Sequence, residues 1–255
     1  MLELHIYLGA ILKKFHIQTR VLNSKVLSKL FAVMIRDKHQ LTIEDATTIL
    51  NDASPRPTGT SIVKNQLVEK TFDLKVIIPV YNSEKYVSQC LNSIVSQKSD
   101  YKVEILVIDD GSTDGSVELV KKYKQSNVKL IKQANKGVSS ARNLGLKTLN
   151  SKYLMFFDSD DVLEDNAIQV LLDEAFKRDA DVVEGSFNRL SNNKKHLGII
   201  HEDLDKADDA EFYGFPWGKV VKSEMFANLR FPIGYWFEDT IFSYLIYPQV
   251  SMLLS

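Results

Sequence analysis

The nine residues Tyr153 to Asp161, Tyr-Leu-Met-Phe-Phe-Asp-Ser-Asp-Asp, constrain the fold of this chain more than any other stretch. Five apolar residues without a break, Tyr153 to Phe157, read as a strand covered on both faces inside an α/β sheet. The acids follow at its carboxyl end. Side chains alternate along an extended chain, so Asp158 and Asp160 point one way, Ser159 the other, and Asp161 falls where the chain must turn. Bunched carboxylates repel one another unless a cation joins them, and Mg²⁺ or Mn²⁺ is the hard ion that such oxygens favour. An ion held this way commonly takes its remaining ligands from the phosphates of a substrate. The plainer alternative is a polar turn in which one Asp caps a helix starting near Val162.

Around this stretch the chain alternates strand and helix. Leu74 to Val80 reads as a buried strand, and Glu84 to Gln97 sets Tyr86, Val87, Cys90, Leu91, Ile94 and Val95 on one helical face. Val103 to Ile108 is the next strand. It ends in Asp109-Asp110-Gly111-Ser112-Thr113-Asp114-Gly115-Ser116, where Asp114 or Ser116 caps a helix running through Tyr123. Strand Val128 to Ile131, helix Val138 to Leu149, helix Ile168 to Arg178 and strand Asp181 to Phe187 continue the rhythm. Such alternation implies a mostly parallel sheet with right-handed crossovers, which binds ligands beyond the carboxyl ends of its strands. The acidic loops at 109–110 and 158–161 both fall there.

Composition narrows the partners. The net charge of -1 hides an asymmetry: residues 1–38 carry seven Lys or Arg against two acids, a balance of +5 that leaves -6 for the remainder. That acidic bulk argues against nucleic-acid binding. A single cysteine, Cys90, excludes an internal disulfide, fits a reducing compartment and reads as core filler. No apolar run approaches the length of a membrane span, and Met1 to Ala10 lacks the marks of a signal peptide, so the chain is expected in the cytoplasm. Residues 1 to about 50 read as helices, with Leu4, Leu8, Ile11, Leu12 and Phe15 at helical spacing, and residues 51–60 as a linker. The basic amphipathic segment 1–38 has three expected roles: docking on its own domain, which is narrowly favoured, contact with a partner subunit, or peripheral contact at the inner face of the membrane. The main domain is expected over residues 72–255.

Two nucleotide-binding templates are absent: no Gly-x-Gly-x-x-Gly follows the first strand and no Gly-x-x-x-x-Gly-Lys occurs. Instead Pro79-Val80-Tyr81-Asn82 follows it, and an aromatic there can stack on a base or simply pack. Asp110, at the end of strand two, can accept the imide hydrogen of uracil or thymine. Arg142 offers a fork for a diphosphate or a base carbonyl, with an ordinary surface helical residue as the alternative.

Taken together, Val76-Ile77-Ile78-Pro79-Val80-Tyr81-Asn82, Val107-Ile108-Asp109-Asp110-Gly111-Ser112-Thr113-Asp114, Gly137 to Asn143 and Phe157-Asp158-Ser159-Asp160-Asp161 resemble the family 2 glycosyltransferases of the GT-A fold. The resemblance covers about residues 73–247, and Pro216-Trp217-Gly218-Lys219 with Tyr235-Trp236-Phe237-Glu238-Asp239 look like the acceptor-side segment of bacterial polysaccharide-forming members. It implies a metal-dependent inverting transfer of a hexose-type residue from a nucleotide sugar, UDP-linked by preference, to a saccharide or lipid-linked acceptor. By the same resemblance Pro79, Tyr81 and Asp110 match nucleoside-binding positions with Glu84 near them, and Asp158 and Asp160 form the Asp-x-Asp that holds Mn²⁺ or Mg²⁺ and the diphosphate. Asp161 shares the metal role, Asp239 matches the general base, and Glu238 stands beside it. Without the resemblance, Glu238 and Asp239 read as an acidic pair at the start of a helix. Trp217 stacks on a sugar ring or fills core. Family members usually continue beyond a point equivalent to Ser255 and supply a His or Arg there. His196 and His201, in a polar connecting stretch, do not match that position. A catalytically silent or truncated glycosyltransferase-like subunit acting through a partner is therefore the alternative expectation, and a plain nucleotide-binding α/β domain a further one.

Overall fold

The computed structural model describes residues 63–123, 127–190, 196–200, 214–234 and 237–254, so the helical extension and linker read over residues 1–60 lie outside it. Four strands pair in parallel: β1 (Gln66–Val80), β2 (Val103–Asp109), β3 (Val128–Lys132) and β4 (Thr148–Phe156). Their apolar runs are separated by α1 (Val87–Val95), α2 (Ser116–Val120) and α3 (Val138–Leu146), which supply the crossovers that parallel pairing demands. Helix α4 (Ala167–Lys177) leads into β5 (Val182–Glu184), after which β6 (Phe187–Leu190) and β7 (His196–Ile200) form a hairpin of their own. β8 (Lys219–Lys222) inserts antiparallel between β4 and β5, and β9 (Leu253–Leu254) closes the order β3-β2-β1-β4-β8-β5-β9. Strand order reverses at β1, with β2 on one side and β4 on the other, and such a reversal leaves a crevice at the carboxyl ends.

The two faces of β1 and β4 divide the core by strand alternation. Val76, Ile78, Tyr153 and Met155 meet Val87, Cys90, Leu91 and Ile94 of α1 and Leu172 and Ala175 of α4. Ile77, Leu154 and Phe156 face the other way, onto Phe226, Phe231 and Phe242. There the Phe156 ring lies edge-on to those of Phe226 and Phe231, with centroids 5.3 and 5.0 Å apart. Cys90 is fully buried, as its place on the apolar face predicts.

Several boundaries differ from the sequence expectations. β1 starts at Gln66 rather than Leu74, because pairing with Thr148 and Leu149 across a bulge extends it through residues that are mostly exposed and carry no apolar run. β4 starts at Thr148 rather than Tyr153: Leu149 and Ser151 are buried while their neighbours are not, an alternation that ends α3 at Leu146 instead of Leu149. α2 stops at Val120, short of Tyr123. No helix starts near Val162; α4 begins at Ala167, after Asn166 in a left-handed conformation. The strand expected over 181–187 is interrupted at Gly185, whose N–H donates to Gly218 O at 2.8 Å, and the connecting stretch that holds His196 forms the β6–β7 hairpin.

Candidate active site

A proline in a central strand opens the crevice. Asp110 N donates to Val80 O at 2.8 Å and Phe157 N to Ile77 O at 3.0 Å, so even-numbered residues of β1 face β2 here and odd-numbered ones face β4. The next donor toward β4 belongs to residue 79, which is Pro79 and has no N–H. The two strands are thus free to part where their acidic loops begin. Tyr81, just beyond, has half of its surface exposed at the mouth.

Asp110 is buried and its carboxylate organises the opposite loop. Oδ1 accepts from Gln133 Nε2 at 2.7 Å and from Lys136 N at 2.9 Å, and Oδ2 accepts from Gly137 N at 2.8 Å. Gly137, at φ +87°, turns the chain into α3. A carboxylate accepts about four hydrogen bonds, so Asp110 keeps capacity at Oδ2 for one more donor. Glu84 braces the neighbouring loop: its Oε2 accepts from Gly115 N at 3.1 Å, and its own N–H donates to Asp114 Oδ2 at 3.1 Å. Asn82 Oδ1 accepts from Thr113 N at 2.8 Å and Ser83 N donates to Ser116 Oγ at 2.8 Å, so Asn82, Ser83 and Glu84 each tie the loop after β1 to the loop that runs from β2 into α2. A hydroxyl contact of 2.7 Å between Ser83 and Ser159 ties the first of these loops to the acidic loop after β4.

Arg142 joins the two sets of acids. It is buried on α3, which corrects the alternative of a surface helical residue. Nη2 donates to Asp158 Oδ1 at 2.9 Å and Nη1 to Glu238 Oε1 at 2.7 Å, while the buried Nε has no hydrogen-bond partner among the described residues. Its guanidinium carbon sits 5.2 Å from the centroid of the Phe231 ring. The next residue sets that ring: Asn143 Nδ2 donates to Phe231 O and Asn143 Oδ1 accepts from Phe231 N, both at 2.8 Å, an amide standing in for a strand partner. Arg142 and Asn143 therefore hold Asp158, Glu238 and the Phe231 backbone from one turn of helix.

Asp158 and Asp161 lie in the loop after β4 with Asp160 exposed between them, and Asp161 N donates to Asp158 O at 3.1 Å. Burial, together with the charges of Asp158 and Asp160, pushes the Asp161 carboxyl up to about 7. Among the described residues no three His, Cys, Asp or Glu side chains form a ready-made metal cage. The hard cations of phosphate chemistry do not need one, since one or two carboxylates and the substrate's phosphates hold them. A loop of crowded carboxylates with Asp160 open to solvent is a donor set that fits such an ion.

Glu238 and Asp239 open a run of short helical turns, Glu238–Thr240, Phe242–Ile246 and Tyr247–Gln249, after Phe237 in a left-handed conformation at φ +61°. The helix expected after them is thus irregular, a wide π turn between two tight 3₁₀ turns. Burial and the charge of Glu238 raise the Asp239 carboxyl above its ordinary range. Trp217 is half-buried, its ring stacked on Phe215 at 5.0 Å and edge-on to Phe187 at 4.8 Å; Tyr235 and Trp236 lie outside the described residues. The structure thus brings Arg142, Asp158 and Glu238 into direct contact, with Asp239 adjacent. Tyr81, Glu84 and Asp110 stand at the loops after β1 and β2. Sequence reasoning quoted Asn143 and Lys219 only as members of the motifs 137–143 and 216–219, with no role of their own, and nothing local pointed to Phe231.

The fold and these side chains define an α/β domain with two acidic clusters at the carboxyl edge of its sheet, joined by a buried arginine. Residues 75–233 match the family model described as glycosyl transferase family 2, and the chain belongs to that family, with the GT-A architecture. It is 32% identical over 195 residues to the glycosyltransferase GlyA of Streptococcus pneumoniae, covering 68% of this chain and 28% of that protein. It is 35% identical over 178 residues to the minor teichoic acid biosynthesis protein GgaB of Bacillus subtilis, covering 64% of this chain and 20% of that protein. The crystal structure of S. aureus TarS 1–349 in complex with UDP-GlcNAc superposes with a TM-score of 0.63 at 25% identity, covering 71% of this chain and 55% of that one. The chain spans little more than a quarter of GlyA and about half of that TarS fragment. Among the described residues no helix is long and apolar enough to cross a membrane.

Proposed function

We propose that this chain carries the donor site and the base of a metal-dependent inverting hexosyltransferase. In this reading it moves a sugar from a UDP-linked donor to a saccharide or lipid-linked acceptor in surface-polysaccharide synthesis. The observation that carries the reading is Arg142, buried and bonded at once to Asp158 of the donor-side loop and Glu238 beside the acceptor-side Asp239. Charges are costly to bury, and one cation spanning two acid clusters across a crevice holds a donor group and a base at a set separation. The UDP-GlcNAc held by TarS supports a uridine nucleotide, and the teichoic acid role named for GgaB supports a surface polymer as product. The inner face of the cell membrane is the proposed place of action, a reading supported by the basic, amphipathic pattern of residues 1–38.

In this mechanism Tyr81 stacks on the base and Asp110 takes the imide hydrogen with its remaining acceptor position. Asp158 and Asp160, with Asp161 beside them, would hold Mn²⁺ or Mg²⁺ together with the diphosphate, and the ion would supply positive charge opposite the leaving group. The acceptor hydroxyl attacks the anomeric carbon from the face opposite the diphosphate. Asp239 takes the hydroxyl proton as the new carbon–oxygen bond forms, and the bond to the diphosphate breaks with its electron pair leaving on UDP. A carboxyl raised by burial and by Glu238 is a better proton acceptor than an ordinary one, which suits Asp239 to that role. Glu238, bonded to Arg142, holds the run in place. Calorimetric titration with UDP, with and without Mn²⁺, followed by a hydrolysis screen of UDP-sugars, tests the reading. Metal-dependent binding with slow hydrolysis of one donor is the expected result. Absence of UDP binding in both conditions would remove it.

A further inference from the structure

Lys219 is the first residue of β8 and none of its surface is exposed. It faces Glu184 across the β5–β8 register, and its Nζ donates to Glu184 Oε2 at 2.5 Å and to the Tyr247 hydroxyl at 2.6 Å. The same Nζ sits 5.5 Å from the Phe242 ring centroid and 5.3 Å from that of Tyr247. All four groups are accounted for by one ammonium: a strand-end carboxylate, a phenol and two aromatic faces.

Position gives this cluster its meaning. Phe242 and Tyr247 belong to the helical run that begins at Glu238 and Asp239. Glu184 and Lys219 belong to the sheet, and continuing the antiparallel β4–β8 register sets Lys219 beside Phe156, two residues before Asp158. The run is therefore held at its start by Arg142 through Glu238, and at its end by Lys219 through Tyr247. An apolar side chain would fill the same volume at no desolvation cost, and replacing a buried ion pair by packed apolar residues is often neutral or stabilising. Packing alone does not call for a lysine here. Its ammonium adds direction, since hydrogen bonds to a carboxylate and a phenol fix the rotation of the run about its axis where van der Waals contact leaves latitude.

We propose that Lys219 is a positioning residue for the acceptor side of the site: with Glu184 and Tyr247 it sets the orientation of the Glu238–Gln249 run and so the place of Asp239 over the donor. This rests on the transferase reading above. Lys219 has no surface exposed to solvent.

The test uses the full chain with Lys219→Met, which keeps length and apolar volume, and Tyr247→Phe, which removes one hydroxyl and keeps the ring. Four measurements are made on each: thermal midpoint, UDP affinity with Mn²⁺, hydrogen exchange by segment, and kcat and KM for hydrolysis of UDP-GlcNAc, UDP-glucose, UDP-galactose and UDP-GalNAc. The expected result is faster exchange confined to residues 238–249, UDP affinity and KM within about twofold of wild type, and kcat lowered at least about tenfold in Lys219→Met, less in Tyr247→Phe. Unchanged exchange in 238–249, or kcat unchanged, overturns the proposal. So does faster exchange throughout the sheet with UDP affinity falling in step, which would make Lys219 a general stabiliser. A wild type that binds no UDP, or hydrolyses none of the four donors, overturns the transferase reading, and the positioning role falls with it.

Discussion

Arg142 Nη1 lies 2.7 Å from Glu238 Oε1, although 96 residues separate the two in the chain. The contact makes one guanidinium answer to two acids, because its other terminal nitrogen is held by Asp158. A planar fork presents its two partners with separate terminal nitrogens in one plane, whereas an ammonium must serve all its partners from a single nitrogen.

Replacing Arg142 by Gln should therefore strand two carboxylates at once. Removing one partner of a buried pair costs about 3–5 kcal/mol, and the partial exposure of Asp158 and Glu238 reduces this to about 2–3 kcal/mol. Urea unfolding would read the loss. Arg142→Lys should recover less than half of it, since one nitrogen replaces the two that Asp158 and Glu238 now hold separately. Full recovery by Lys would mean that net charge, and not the two-ended geometry, matters at this position.

Much of this was readable beforehand. Unbroken apolar runs ending in acids announced a parallel sheet and put Asp110 and Asp158 at its carboxyl edge, since burial on both faces and strand period are local consequences of composition. Tertiary pairing was not local. β1 reaches back to Gln66 because Thr148 and Leu149 pair with it, and a run such as Leu67 to Phe72 shows no such periodicity by itself. The partnership of Arg142 with Glu238 and of Lys219 with Tyr247 was equally hidden, because each joins segments whose separation in sequence carries no geometric signal. Glu84 shows a subtler limit. Its type and place suit a nucleoside contact, whereas its carboxylate is bonded to the Gly115 amide, where a methyl group on Gly115 would come within 2.5 Å of it.

Asp160→Asn should abolish Mn²⁺-dependent UDP binding while leaving the fold intact, because Asp160 is exposed and its replacement is isosteric. Calorimetry with and without the metal, beside a circular dichroism melt, reads both halves. Binding unchanged from wild type would exclude Asp160 from the metal site.

Asp161 predicts a pH dependence in metal-free buffer. Its carboxyl is raised from 3.8 to about 7 in the folded chain, so between those values the native state holds a proton that the unfolded state has lost. Stability then falls as pH rises through that window, the reverse of the usual carboxylate. The full shift would convert to about 4 kcal/mol, and solvent screening of a partly exposed loop reduces it to about 1–2 kcal/mol. Asp161→Asn should flatten the decline and be the more stable protein at pH 8. Parallel stability curves for the two between pH 4 and pH 8 would contradict the assignment.

Gly145 offers a contest between two effects of known size. It lies in α3, where Ala would add about 1 kcal/mol of helix propensity. A Cβ there, however, would stand 2.6 Å from Ile77 Cγ2 and 3.0 Å from Ile77 Cδ1, in a side chain with no exposed surface. Overpacking of a filled core costs about 1–3 kcal/mol, and a branched side chain locked in a central strand has little room to give. Gly145→Ala should thus destabilise by about 1–2 kcal/mol net. In an Ile77→Ala background the clash is gone, and the same substitution should stabilise by the propensity term instead. A sign that stays the same in both backgrounds, measured by denaturant unfolding of the four proteins, would mean that the close approach of α3 to β1 is not what glycine serves at this position.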